Sequence, residues 1–246
     1  MIFTMNEDGR LDDRLRISIK LHYIERMQKE IYTLVADFSI TRNLAYLSHQ
    51  ETMTMFQRGF VRASVPLVYS GGFNPHPRLS VPFPRTVGTG SQGDRFYATV
   101  EYSEKPSLET LTEAVNQIMP EGCCVKFLQC LPGKAALFPE SAEYQFHLQT
   151  NMTESLATHI EACRNKLQEG GPIEIRRYWA KKRSYKVFDI APFVQAIHCS
   201  QDLVEVKCSV SQSGTVRVDE LMDWLHIAKE YLREPVCRTG ICWFQN

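Results

Sequence analysis

The sequence predicts an α+β protein in which one β-α-β-β-α-β unit is followed by a second. Three observations carry that reading. Apolar residues alternate with polar ones over several short stretches rich in β-branched and aromatic residues, which is strand patterning. Between these stretches lie segments whose apolar residues recur at i, i+3, i+4 and i+7, which is helix patterning. Of the 246 residues 43% are hydrophobic and 23% charged, enough for one large core or two smaller ones.

Residues 1–30 form an N-terminal extension of mixed character, with Met5 and Met27 as alternative starts. The first unit spans 31–133. Its first strand occupies 31–39, and Ser48 with Glu51 forms a capping box that opens a helix. Met53, Phe56 and Phe60 share the inner face of that helix. A short strand at 67–70 precedes a Gly/Pro-rich loop running to about Gly93, and 95–102 alternates again. Ser107 caps a second helix with Leu108, Leu111, Val115 and Ile118 on one stripe, and 123–130 closes the unit.

A linker at 134–141 leads into the second unit, 142–246. Strand 143–149 is followed by a helix marked by Leu156, Ile160, Cys163 and Leu167. Stretches 173–179 and 203–210 read as the two middle strands, separated by a basic hairpin and a segment around Pro192. Helix 218–232 turns Leu221, Trp224, Leu225 and Ala228 inward, and strand 236–244 ends the unit. Twice β-α-β-β-α-β predicts two tandem ferredoxin-like units, repeated in element order and not in residue identity.

Lys+Arg total 28 and Asp+Glu total 28, so a strongly basic whole-protein polyanion binder is excluded while a local patch is not. The chain has no apolar run long enough to span a membrane and no secretory leader pattern, which predicts a cytoplasmic protein. In that compartment its eight cysteines are expected to be reduced thiols. None pairs as C-x-x-C, and no C-x-x-x-C-x-x-C triplet occurs. The expectation is therefore no metal and no cofactor of its own.

The positive charge is unevenly spread. Residues 52–93 contain no acidic side chain but carry Arg58, Arg62, His76, Arg78 and Arg85. Arg58 and Arg62, four apart on a helix, share one face. Residues 175–186 hold Arg176, Arg177, Lys181, Lys182, Arg183 and Lys186 without a carboxylate, interleaved with Tyr178, Trp179 and Tyr185. Cations for phosphates beside aromatic faces for bases are what single-stranded RNA binding requires.

The most unusual stretch is Tyr69-Ser70-Gly71-Gly72-Phe73-Asn74-Pro75-His76-Pro77-Arg78-Leu79-Ser80. Its glycines permit close backbone approach, and its prolines stiffen the chain on either side of His76. Backbone donors, an amide, an imidazole and a guanidinium suit an anion or polar ligand such as a nucleotide. His76, and His49 in the first turn of the capped helix, are the candidate acid/base groups.

Leu47-Ser48-His49, the helix bearing Arg58 and Arg62, and the stretch 69–77 resemble the bacterial radical-SAM-linked proteins, a family of unknown function. Gly88 and Ser91 fit the same likeness, as does the segment from Arg177 to Asp189 with its following Pro192. The chain departs from the pattern at Asp94, at Lys182-Arg183 and at Ala191. The resemblance implies a cobalamin-binding radical S-adenosylmethionine protein as partner and RNA modification as setting. Without cluster cysteines the chain would be the accessory that holds the substrate. The expected RNA or ligand contacts are Ser48, Arg58, Arg62, Ser70, Gly72, Phe73, Asn74, His76, Arg78, Arg177, Lys182, Arg183, Lys186 and Asp189. Two other functions stay open: a metal-independent ribonuclease or RNA-modifying enzyme using His76 or His49, and a protein-docking adaptor presenting Phe73.

Overall fold

The computed structural model describes residues 30–135, 138–179, 183–211 and 213–244. Among them an α+β architecture is built on one eight-stranded mixed sheet and four α-helices. Strand β1 (Glu30–Ile40) turns Leu34, Ala36, Phe38 and Ile40 to one face, where all four are fully buried. Ser48 then caps α1 (His49–Arg62): its hydroxyl accepts from Glu51 N, and its own N–H donates to the Glu51 carboxylate. The Ser48 hydroxyl also donates to that carboxylate at 2.7 Å, and this bond, together with the N–H donation, holds the Glu51 carboxyl below its usual range.

Helix α1 lays Phe56 and Phe60 on the sheet, Phe56 stacking on Phe96 at 4.3 Å between ring centroids. Each fully buried phenylalanine stabilises by about 1.5–3 kcal/mol. After β2 (Leu79–Ser80) comes the long β3 (Thr89–Tyr102). Ser107 caps α2 (Leu108–Ile118), and β4 (Cys123–Pro132) completes the half. Strands pair β4-β1-β3 antiparallel, with β2 on the far edge of β3.

The second half runs β5 (Pro139–His147), α3 (Glu154–Glu169), β6 (Glu174–Trp179) and β7 (Ser184–Asp189). It continues with β8 (Val194–Cys199), β9 (Leu203–Ser209), α4 (Val218–Leu225) and β10 (Val236–Trp243). Here the order is β10-β5-β9-β8, again antiparallel. One parallel pairing, Val236–Arg238 of β10 with Thr89–Ser91 of β3, joins the halves into a single sheet. Each half keeps its own apolar cluster under its own pair of helices, and Phe83 of the first half inserts into the second cluster.

Four expectations are corrected. Stretch 67–70 forms only isolated bridges, Leu67 to Val100 and Tyr69 to Pro77; the ladder on β3 passes to 79–80. Tyr69 cannot extend it because its partner lies across the loop. Strand β3 starts six residues before Arg95, since pairing of Thr89–Ser91 with β10 and of Ser91 and Asp94 with β1 extends it. Residues 173–179 are no middle strand of the main sheet: β6 pairs only with β7, in a separate two-stranded sheet, and β8 stands next to β9. Finally, α4 stops at Leu225 and not at 232, because His226 adopts a left-handed conformation (φ 56). Ile227 N then donates to Met222 O at 2.9 Å and turns its side chain into the core.

All eight cysteines are free thiols. Burial pushes both Cys123 and Cys208 up to about 12, which makes them inert packing groups. Among the described residues, no helix is long and apolar enough to cross a membrane.

Candidate nucleic-acid interface

Two appendages rise from this sheet, and both belong to the stretches with clustered charge. The first is a tongue, residues 69–77. Ser70 N donates to His76 O at 2.8 Å, and His76 N donates to the Ser70 hydroxyl at 3.0 Å. Arg78 N donates to Val68 O at 2.9 Å, closing the base. Gly72 at the tip has φ 107, a conformation that a Cβ would strain. Phe73 beside it is 112% exposed, and Asn74 and His76 are exposed as well. Ser70 therefore shapes the tongue from within, while Phe73, Asn74 and His76 are its outward groups.

The second appendage is the β6–β7 hairpin. In the antiparallel register one face carries Ile175, Phe188, Arg177 and Lys186, and the other carries Arg176, Val187, Tyr178 and Tyr185. Ile175 and Phe188 pack on the second core, which anchors the first face. Arg177 is part of that anchor. Its guanidinium bonds both Glu220 oxygens, at 2.5 and 2.7 Å, and Thr215 O at 2.9 Å, and it lies over the Phe188 ring. It is not free for a phosphate. Asp189 is also structural: its Oδ1 accepts from Ile173 N and Ala191 N, tying the foot of the hairpin.

The opposite face is open. Tyr178, Tyr185 and Val187 are 49%, 60% and 65% exposed, and Arg176 sits over the Tyr185 ring at 5.1 Å. The two tyrosine rings lie 5.2 Å apart. At the outer end the Lys186 ammonium stands 4.7 Å over the Trp179 ring, and Arg183 is exposed with φ 46 in the turn. Lys182 lies outside the described residues, as does Lys181.

The remaining cations divide. Arg58 and Arg62 are exposed on the outer side of α1, and Arg78 is exposed at the base of the tongue. Arg85 is buried instead. It pairs with Asp94 Oδ2 at 2.9 Å and donates to Thr89 O and to the Thr52 hydroxyl. Asp94 Oδ1 takes Arg238 Nη2 at 2.5 Å and the Ser91 hydroxyl at 2.5 Å. Arg238 Nη2 also reaches Phe83 O at 2.8 Å, with its guanidinium over the Phe83 ring. Burial lowers the pKa of Arg85. For Arg238 burial acts the same way, but Asp94 and Tyr144 beside it outweigh that and hold its pKa above the usual value. Ser91, which fits the family likeness, and Asp94, which departs from it, thus belong to the seam between the halves.

Ser48 is occupied by its capping box and His49 is exposed at the start of α1. Among the described residues, no hydrogen bond or ion pair joins His49 to His76. Sequence pattern does not single out Lys134, which lies just beyond β4. Its position is set through its neighbours Gly133 and Ala135, whose backbones bond the Thr33 hydroxyl about a hundred residues earlier in the chain.

Fold and surface together define an α+β sheet protein with two outward appendages, one stiff and glycine-proline rich, the other aromatic and cationic. Residues 34–218 match the family described as "Uncharacterized protein conserved in bacteria (DUF2344)", three quarters of the chain, and the protein belongs to that family. No curated protein matches the sequence.

Proposed function

We propose that this protein is an accessory that binds RNA and presents it to a radical S-adenosylmethionine enzyme. In this reading its two halves are tandem ferredoxin-like units, each with the β4-β1-β3-β2 type of strand order. The observation that carries it is the open face of the β6–β7 hairpin, where Arg176, Tyr178 and Tyr185 set a cation beside two exposed rings. Such a surface offers stacking to unpaired bases and charge to the backbone that links them. The radical-enzyme partner rests on the sequence resemblance of residues 47–49 and 69–77.

Gel shifts of the full chain with total cellular RNA test the reading. If about three phosphates are contacted, affinity falls about 16-fold between about 50 and about 200 mM salt. Exchange of Arg183 and Lys186 for alanine reduces that slope. Affinity that does not move with salt overturns the proposal.

The 112% exposure of Phe73 favours a second reading for the tongue, as the part that docks on the enzyme. Phe73→Ala then removes the enzyme from a pull-down while leaving RNA affinity unchanged. Retention of the complex refutes that role.

A further inference from the structure

A cavity of about 370 Å³ opens beneath the base of the tongue, on the sheet face away from α1 and α2. Its floor is the cross-strand pair Thr33 and Thr99, with Tyr97 beside them. Leu79 pairs with core-facing Ala98, so Arg78 and Ser80, one residue to either side, project onto the opposite face and into the cavity. Arg78 is fixed on both sides at the backbone: its N–H donates to Val68 O and its carbonyl accepts from Thr99 N, each at 2.9 Å. The facing wall is fixed from below. Thr33 Oγ1 donates to Gly133 O at 2.8 Å and accepts from Ala135 N at 3.0 Å, which places Lys134 on the rim.

The charge in this cavity is one-sided. Arg78 and Lys134 line it, and among the described residues no carboxylate does. Both cations are exposed, and among the described residues neither side chain makes a hydrogen bond or an ion pair. Two unneutralised cations bordering one cavity favour occupation by a group carrying about two negative charges. Hydroxyls of Ser80 and Thr99 add donors that a phosphate oxygen accepts. Phe138, 62% exposed at the edge, supplies an apolar ring suited to a heterocycle.

We propose that this cavity binds the phosphate of a nucleotide, with Arg78 and Lys134 as its two counter-charges. That the nucleotide belongs to an RNA strand rests on the RNA-binding reading above; the phosphate site itself does not. The chemistry is shared by an RNA phosphate and a free mononucleotide, and the experiment separates them.

Calorimetric titration of the full chain uses inorganic phosphate, adenosine monophosphate, adenosine, and a short RNA. It is repeated on Arg78→Gln, Lys134→Gln and the double variant, all exposed changes away from either core. Expected is binding of phosphate and of the monophosphate but not of adenosine, weakened at least about tenfold in the double variant, the scale of a lost charged hydrogen bond. An equal loss for the short RNA places the phosphate in a strand; monophosphate binding with no RNA binding keeps the site, assigns it to a free nucleotide and fails the RNA reading. RNA binding that depends on the hairpin but not on Arg78 or Lys134, with no monophosphate bound, overturns the cavity site and leaves the RNA reading intact. Monophosphate affinity unchanged in the double variant also overturns it.

Discussion

Replacing Asp94 with alanine is expected to lower the stability of the folded protein by about 3–5 kcal/mol, the cost of stripping the partner from a buried charge. Two arginines depend on this one carboxylate, Arg238 through Oδ1 at 2.5 Å and Arg85 through Oδ2 at 2.9 Å. Their side chains are only 2% and 4% exposed, so water cannot replace the lost partner without opening the seam. In a protein of this size such a loss shifts Tm by roughly 10 °C. Asp94→Asn keeps the shape and one acceptor oxygen, and is expected to fall between the two. Urea unfolding followed by far-ultraviolet circular dichroism measures both. A loss below about 1 kcal/mol for Asp94→Ala would mean that the arginines find other partners, and that the seam does not depend on its charge.

That seam also shows where sequence reading stops. Asp94 and Arg238 are 144 residues apart, and nothing local to either announces the other. The sequence reads residues up to about Gly93 as a Gly/Pro-rich loop, and only the pairing of Thr89–Ser91 with the distant β10 makes their part of it strand. Local signals fare better. The Ser48 box, the Ser107 cap and the apolar stripes of α1, α2 and α3 are each carried by residues within a turn or two, and each helix forms where they predict.

Strand partners are a different matter. Alternation marks 173–179 as a strand correctly, yet the choice between β7 and the main sheet depends on which edge is nearer in space. The short β8, with Val194 and Ile197 buried between exposed neighbours, then fills the place beside β9. The end of α4 is hidden for another reason. His226 takes a left-handed turn that glycine or asparagine usually announces, and the buried Ile227 after it compensates the strain. Among the candidate contacts, the sequence separates cations from acids along the chain but not across space. Arg177 lies in an acid-free run and is nonetheless neutralised by Glu220, 43 residues on.

Removing both tyrosines from the open hairpin face, Tyr178→Ala with Tyr185→Ala, is expected to weaken RNA binding by about 10- to 100-fold, since base–aromatic stacking contributes about 1–3 kcal/mol per base. The rings lie 5.2 Å apart on the solvent side of β6 and β7, clear of the anchor formed by Ile175, Phe188 and Arg177. Stability should therefore change by no more than about 0.5 kcal/mol, as for other exposed positions. The salt slope should not change either, because no phosphate contact is removed. Arg177→Ala gives the opposite pattern. It leaves Glu220 buried without its partner and loosens the hairpin foot, so stability falls while the salt slope stays that of the parent. Filter binding at several salt concentrations, with unfolding curves on the same samples, reads all three quantities. A double tyrosine variant that binds RNA like the parent protein would reduce the hairpin to a solvated charged strand pair, and the stacking argument would be wrong.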